Sequence, residues 1–165
     1  MDVKKQLKEY LDSYLNFRLE KKAKAINKNL VGAMDFACCD ESNINAFIKN
    51  NKDEETFQTK LFKYIDDKNL KDSDVYNKVN IDRRLFSKIR SNKDYHPSKE
   101  TIILFGLALE LNESEIVDLL ESASYSLPMN TTFDLIIRFC FIERIYDINK
   151  VNEFLYDYKC KLLNE

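Results

Sequence analysis

Glycine and proline are nearly absent from this chain, since each occurs only twice in 165 residues. Tight turns between strands depend on these residues, so their scarcity argues against a β-rich fold. Hydrophobic residues make up 44% of the chain and charged residues 33%, which is the balance of a globular protein. Apolar side chains recur at spacings of three and four. The sequence therefore predicts an all-α protein of seven to nine helices.

The chain also lacks the residue patterns that catalytic and metal sites usually need. Its single histidine, His96, stands beside Pro97 with no visible chemical partner, which favours a loop residue. The four cysteines form neither a CxxC pair nor a zinc-type spacing, and we expect reduced, mostly buried thiols. Gly32 and Gly106 stand alone, so no glycine-rich phosphate loop is present. We predict a non-enzymatic protein without a metal or cofactor.

Long apolar runs are missing as well. No stretch approaches the roughly 20 residues that a membrane-spanning helix needs. The first fifteen residues, MDVKKQLKEYLDSYL, carry acids and lysines where a signal peptide has an uninterrupted apolar core. The sequence therefore predicts a cytoplasmic protein with no membrane partner.

The N-terminal third reads as a separate helical extension. Residues 3–26 place apolar side chains at helical spacing, and residues 18–28 are basic enough for either a solvated face or phosphate contacts. The polar stretch at residues 49–53 resembles a connector. We place a boundary near residue 52, which predicts an N-terminal helical extension over 1–52 and a second domain over 53–165.

Residues 72–99 are the most informative stretch. Two short helices are predicted to meet at residues 79–80, where asparagine is the non-glycine residue that best tolerates a positive φ. Both helices carry apolar residues at positions that two crossed helices could bury together. These positions are Val75, Val79, Ile81, Phe86 and Ile89.

Positive charge is concentrated in the second of these helices and in the loop after it. Residues 82–99 contain six basic and two acidic residues, a local net charge of +4 in a chain whose total is -2. Such a local field favours nucleic acid as a partner. The predicted DNA-binding residues are Arg83, Arg84, Ser87, Lys88, Arg90, Lys93 and Lys99.

The segments that flank this helix pair carry helix-start signals and one strongly apolar helix. Residues 133–145 are apolar almost all round, so this helix needs neighbours on at least two sides. The surplus of apolar surface in the C-terminal segments predicts a homodimer. The predicted helix caps are Thr56, Ser98, Asn112 with Glu115, Thr131 or Thr132, and Asp147.

The order of signals between residues 70 and 120 resembles the λ-repressor/Cro-like, or XRE-like, helix-turn-helix family. The specific part is PSKETIILFGLALELNESEIVDLL, residues 97–120. The resemblance implies a five-helix core over about 56–124, with two further helices in 129–165. It also implies a second helix over Asp72 to Val79 and a recognition helix over Asp82 to Ser91 in the major groove of double-stranded DNA. Arg83, Arg84 and Lys88 would then face base edges, as in a bacterial transcription regulator.

A protein-binding adaptor built on a degenerate helix-turn-helix is the alternative. Asp72 and Asp74 stand at the start of the second helix, where the family meets phosphate, and Tyr76 takes a position that is commonly alanine. The low isoelectric point, near 5.6, fits the same hypothesis. A hidden activity in residues 1–52 is the remaining possibility, but its acids are too generic to name a site. A positive face unbroken by Asp72 and Asp74 would favour DNA.

Overall fold

The computed structural model describes residues 3–13, 55–92 and 95–164. The chain divides into two compact units, Met1–Glu54 and Glu55–Glu165. In the first unit, residues 3–13 form helix α1, and Leu7 and Leu11 are buried. This confirms the predicted apolar stripe for these residues. The remainder of the predicted helix to residue 26 and the predicted boundary near residue 52 lie outside the described residues.

The second unit is built from helices joined by short loops. Together with α1, the described residues contain eight helices and no strand, which confirms the all-α prediction. None of the helices in the described ranges is long and apolar enough to cross a bilayer. The helices of the second unit are α2 (Phe57–Asp67), α3 (Asp72–Lys78), α4 (Arg83–Ser91), α5 (Lys99–Ala108), α6 (Glu113–Glu121), α7 (Thr132–Ile142) and α8 (Ile148–Asp157).

Side chains cap the N-termini of five helices, as the sequence predicted. In α6, Asn112 and Glu115 form a complete capping box, in which each side chain accepts a hydrogen bond from the other residue's backbone N–H. Of the two candidate threonines for α7, Thr131 is the cap. A side-chain oxygen accepts a bond from a first-turn N–H at every predicted cap, namely Thr56, Ser98, Asn112, Thr131 and Asp147.

Several helices end at a residue with a left-handed backbone conformation, and none of these residues is glycine. After α7, for example, Arg144 has a φ of 55°, and the Ile145 N–H donates to the Cys140 carbonyl at 2.8 Å. This bond is the mark of a Schellman motif, which satisfies carbonyls at a helix end. The same arrangement closes six described helices, with positive φ at Asn69, Asn80, Glu110, Ser124, Arg144 and Lys159.

Helix α5 is the centre of the second unit. Every residue from Ile102 to Ala108 is buried, so α5 is covered on all sides there. It packs on α3 and α6, and Gly106 lies at the contact with α6. A Cβ at Gly106 would lie 2.5 Å from Ile116 Cδ1 on α6 and 3.0 Å from Phe141 Cζ on α7. This glycine therefore serves helix packing.

Helices α7 and α8 belong to the same core as the helices before them. Helix α7 packs on α6 and on α8, which confirms the expectation of neighbours on two sides. Arg138 on α7 donates to Glu113 Oε1 at 2.7 Å and to the Leu127 carbonyl at 3.1 Å. Most apolar side chains of α7 are buried within one chain, although Ile142 stays 43% exposed. The apolar surplus that motivated the homodimer prediction is therefore largely covered.

Candidate nucleic-acid interface

Helices α3 and α4 are joined by a tight turn that fixes the start of α4. Asn80 has a φ of 52°, which confirms the predicted left-handed turn residue. The Ile81 N–H then donates to the Tyr76 carbonyl at 2.9 Å and closes α3. Asp82 caps α4 by accepting from the Arg84 N–H at 2.7 Å. Both helices lie where the sequence predicted, with α3 ending one residue earlier and α4 beginning one residue later.

One face of α4 is held by an aromatic cluster. Phe86 is 3% exposed and Ile89 1%, which confirms their predicted inward orientation. The Phe86 ring centroid lies 5.9 Å from that of Phe62, 5.6 Å from that of Tyr76 and 5.8 Å from that of Phe105. Tyr76 is half-buried against Phe86 in this cluster. The rotation of α4 about its own axis is therefore set by packing.

The exposed side of α4 carries four of the predicted site residues. Arg84 and Lys88 are four residues apart, as are Arg83 and Ser87, so they form two adjacent rows. All four side chains are exposed. No described acid forms an ion pair with either arginine. The Lys88 ammonium lies 4.4 Å from the centroid of the Tyr95 ring, a cation–π contact that leaves its charge in place.

Arg90 points away from this outward face. It follows Phe86 by four residues, so it shares the flank of α4 that turns toward the core. Its guanidinium forms two bonds with Asp72 at the start of α3, Nη1 to Oδ2 at 3.1 Å and Nη2 to Oδ1 at 3.2 Å. It also lies over Phe62 of α2, with its guanidinium carbon 4.5 Å from the ring centroid. The structure thus places Arg90 in an interhelical contact.

Lys99 is the first residue of α5, and its side chain forms a part-buried ion pair. Its ammonium contacts Asp134 Oδ1 at 2.5 Å, and the two side chains are 22% and 5% exposed. Thr131 donates to the other oxygen of Asp134 at 2.5 Å. The pair joins the start of α5 to the start of α7. Lys93, the remaining predicted site residue, lies outside the described residues.

An open cleft of about 520 Å³ lies between α3 and α4. Its apolar lining comes from Leu70, Tyr76 and Phe86. Lys71 and Arg83 add positive charge at its edge, while the charge of Arg90 is already matched by Asp72. This volume falls in the range of small-molecule sites. The cleft was not foreseen from the sequence, because it depends on how α3 and α4 cross.

The described residues offer little support for nucleophilic or metal chemistry. Burial raises the pKa of the Cys140 thiol to about 12 and also raises the pKa of Cys160, so both thiols stay protonated near neutral pH. The His96 ring lies against Tyr125, with 5.0 Å between the ring centroids. In the described ranges, no group of three or more histidine, cysteine or acidic side chains could hold a metal ion.

Known proteins give no independent guide to this site. No protein-family model, curated protein or solved structure matches the chain.

Proposed function

We propose that the protein is a non-enzymatic DNA-binding regulator that uses α3 and α4 as a helix-turn-helix of the λ-repressor type. The observation that carries this proposal is the outward face of α4, where Arg84 and Lys88 share a row and Arg83 and Ser87 flank it. Arg84 and Lys88, two residues to either side of the buried Phe86, project opposite its ring, whereas Arg83 precedes Phe86 by three residues and lines the cleft beside it. A basic helix face held rigidly by a packed core is what entry into the major groove requires.

Each side chain has a defined role in this proposal. Arg83 and Arg84 stand in the first turn of α4, and in helix-turn-helix proteins this end of the recognition helix contacts base edges. Arginine can form a bidentate bond with guanine O6 and N7. Lys88, one turn later, suits a phosphate contact. In this proposal, α2 to α6 correspond to the five-helix core of the family.

The acids at the start of α3 weaken this proposal less than the sequence alone suggested. Asp72 would repel a phosphate backbone if it were unpaired. Its carboxylate is instead bound by the guanidinium of Arg90 at two points. Asp74 remains exposed and accepts a bond from Ser73 at 3.3 Å. One negative charge, rather than two, is therefore left unmatched by a cation at this edge of the basic face.

Fluorescence anisotropy with a labelled random duplex tests the proposal directly. At about 50 mM salt, non-specific phosphate contacts are strong, so we expect binding that weakens steeply as salt is raised. A selection from a duplex library should then yield a preferred sequence that contains guanine. The absence of any salt-dependent binding to duplex DNA would contradict the proposal.

The cleft between α3 and α4 supports a second candidate function, a protein-binding adaptor. An acidic peptide with one aromatic side chain would match the apolar lining and the charges of Lys71 and Arg83. Two variants separate the candidates. Leu70→Ser should weaken peptide binding alone, since Leu70 lines the cleft and is 36% exposed. Lys88→Ala should weaken DNA binding alone. An NMR titration with such a peptide supplies the measurement.

A homodimer is also part of the proposal. Two recognition helices about 34 Å apart could read a palindromic site. Light scattering of the free protein and of its complex with the selected duplex tests the stoichiometry. A complex that holds one chain for each duplex would contradict it.

A further inference from the structure

Arg90 and Asp72 fix the far end of α4 to its neighbours. The pair is bidentate, with distances of 3.1 and 3.2 Å, and joins α4 to α3. A bidentate arginine–carboxylate pair restricts orientation as well as distance, because both planar groups must align. It therefore acts on the angle at which α4 crosses α3.

Two further contacts hold the same end of α4 to α2. The Arg90 guanidinium lies over the Phe62 ring, and the Arg90 carbonyl accepts a hydrogen bond from Gln58 Nε2 at 2.6 Å. The start of α4 has its own restraint in the turn at Asn80 and the Asp82 cap. Helix α4 is thus fixed at both ends. Its side chains can then hold the narrow geometric tolerance that a recognition site needs.

We propose that Arg90 and Asp72 are a positioning pair, which orients α4 so that Arg84 and Lys88 face a ligand together. This inference rests on the proposed DNA-binding function for its consequence, but the positioning itself is a property of the free protein. Arg90 makes no contact with DNA in this arrangement. Asp72 acts through Arg90, although its own charge opposes DNA.

The exposure of the pair makes the proposal testable. Arg90 is 55% exposed and Asp72 34%, so the pair contributes little to the free energy of unfolding. Variants should therefore remain folded, with a nearly unchanged urea midpoint. Their effects can then be attributed to the orientation of α4.

The first experiment needs no DNA. In ¹H–¹⁵N NMR spectra, Asp72→Asn should shift the backbone amide signals of Arg84 and Lys88, because loss of the pair changes the orientation of the whole helix. The matched control is Asp74→Asn, which removes the same charge two residues away. Shifts confined to residues next to positions 72 and 90 would overturn the inference, whether or not the protein binds DNA.

The second experiment measures selectivity, the ratio of the dissociation constants for random and selected duplexes. We expect Asp72→Asn and Arg90→Lys each to lower this ratio roughly tenfold, or about 1.4 kcal/mol, and the double variant to lose no more than either single variant. The salt slope should not fall in Arg90→Lys, which keeps the charge. A simple charge effect predicts instead that Asp72→Asn binds every duplex more tightly with unchanged selectivity, and that result would also overturn the inference. Failure of the wild-type protein to bind any duplex would refute the proposed function but leave the NMR result standing.

Discussion

Arg90 and Lys99 come from one basic stretch of sequence, yet they occupy two different regions of the molecule. Arg90 lies at an exposed junction of three helices and binds Asp72, whereas Lys99 is partly buried against the buried Asp134 between α5 and α7. Arg84 and Lys88 represent a third environment, because they stand on the outward face of α4. A local excess of positive charge therefore combines residues with different roles. In the proposed function, only those on the outward face would meet DNA directly.

The largest expected effect on the free energy of unfolding would come from breaking the ion pair between Lys99 and Asp134. Lys99→Met should lower the free energy of unfolding by about 3 kcal/mol, because it leaves the Asp134 carboxylate buried without its cation. This loss lies at the low end of the usual range for breaking a buried pair, because Thr131 still donates a hydrogen bond to Asp134. Urea denaturation supplies the measurement. Arg90→Met is the matched control, for which we expect a loss below about 1 kcal/mol. Equal losses would remove the distinction between the two regions.

The next effect concerns DNA affinity. Arg84→Ala should weaken binding to the selected duplex by about 1–3 kcal/mol and relax its sequence preference, while leaving stability nearly unchanged. Lys150→Ala on α8 is the control, because it removes the same charge from an exposed position on another helix. Anisotropy titrations of both variants at one salt concentration give the comparison. An equal loss in Lys150→Ala would mean that net charge, and not the face of α4, determines affinity.

A smaller effect on stability concerns the ion pair between Lys161 and Glu100, which are 3.0 Å apart and more exposed than Lys99 and Asp134. Partial burial alone would raise the pKa of Glu100, but hydrogen bonds from its own backbone N–H and from Lys161 lower it below its usual value near 4.5. A carboxyl group with a lowered pKa in the folded state stabilises the fold above about pH 4.5. This stabilisation is lost as the pH falls further.

Lys161→Met should reduce the loss of stability that occurs as the pH falls below about 4.5. At pH 7 it should cost less than about 1 kcal/mol, because the lysine is 56% exposed. Urea midpoints between pH 3 and 7 measure both changes. An unchanged acid slope would show that Lys161 does not set the pKa of Glu100.

An effect of similar size should be a gain in stability, at a charged residue whose backbone conformation matters more than its charge. Arg144 is exposed and has a φ of 55°. Arg144→Gly should remove the left-handed strain of about 1–2 kcal/mol at an entropic cost of about 0.5–1 kcal/mol. We expect a net gain of about 0.5–1 kcal/mol from the difference. Arg144→Ala keeps the strain and should show no gain in thermal unfolding, so a gain in both variants would point to charge instead.

Local patterns in the sequence predicted most of the fold. The caps, the turn at Asn80 and the buried phase of α4 all depend on residues within one or two turns of each other. The orientation of Arg90 was also accessible, because it follows the inward-facing Phe86 by four residues. The partner of Lys99 was not, since Asp134 lies 35 positions along the chain. Such a pairing appears only when α5 and α7 have packed.

The buried pair between Lys99 and Asp134 also determines how the chain can be cut. A fragment that ends near residue 124 would keep the proposed recognition helix, but it would lose Asp134 and the ring of Phe141 against Gly106. Lys99 would then remain partly buried without its carboxylate, and the apolar side of α5 would face water. The shortest unit expressed for binding studies should therefore include α7, and a protease that cleaves between α6 and α7 should release no stable N-terminal core.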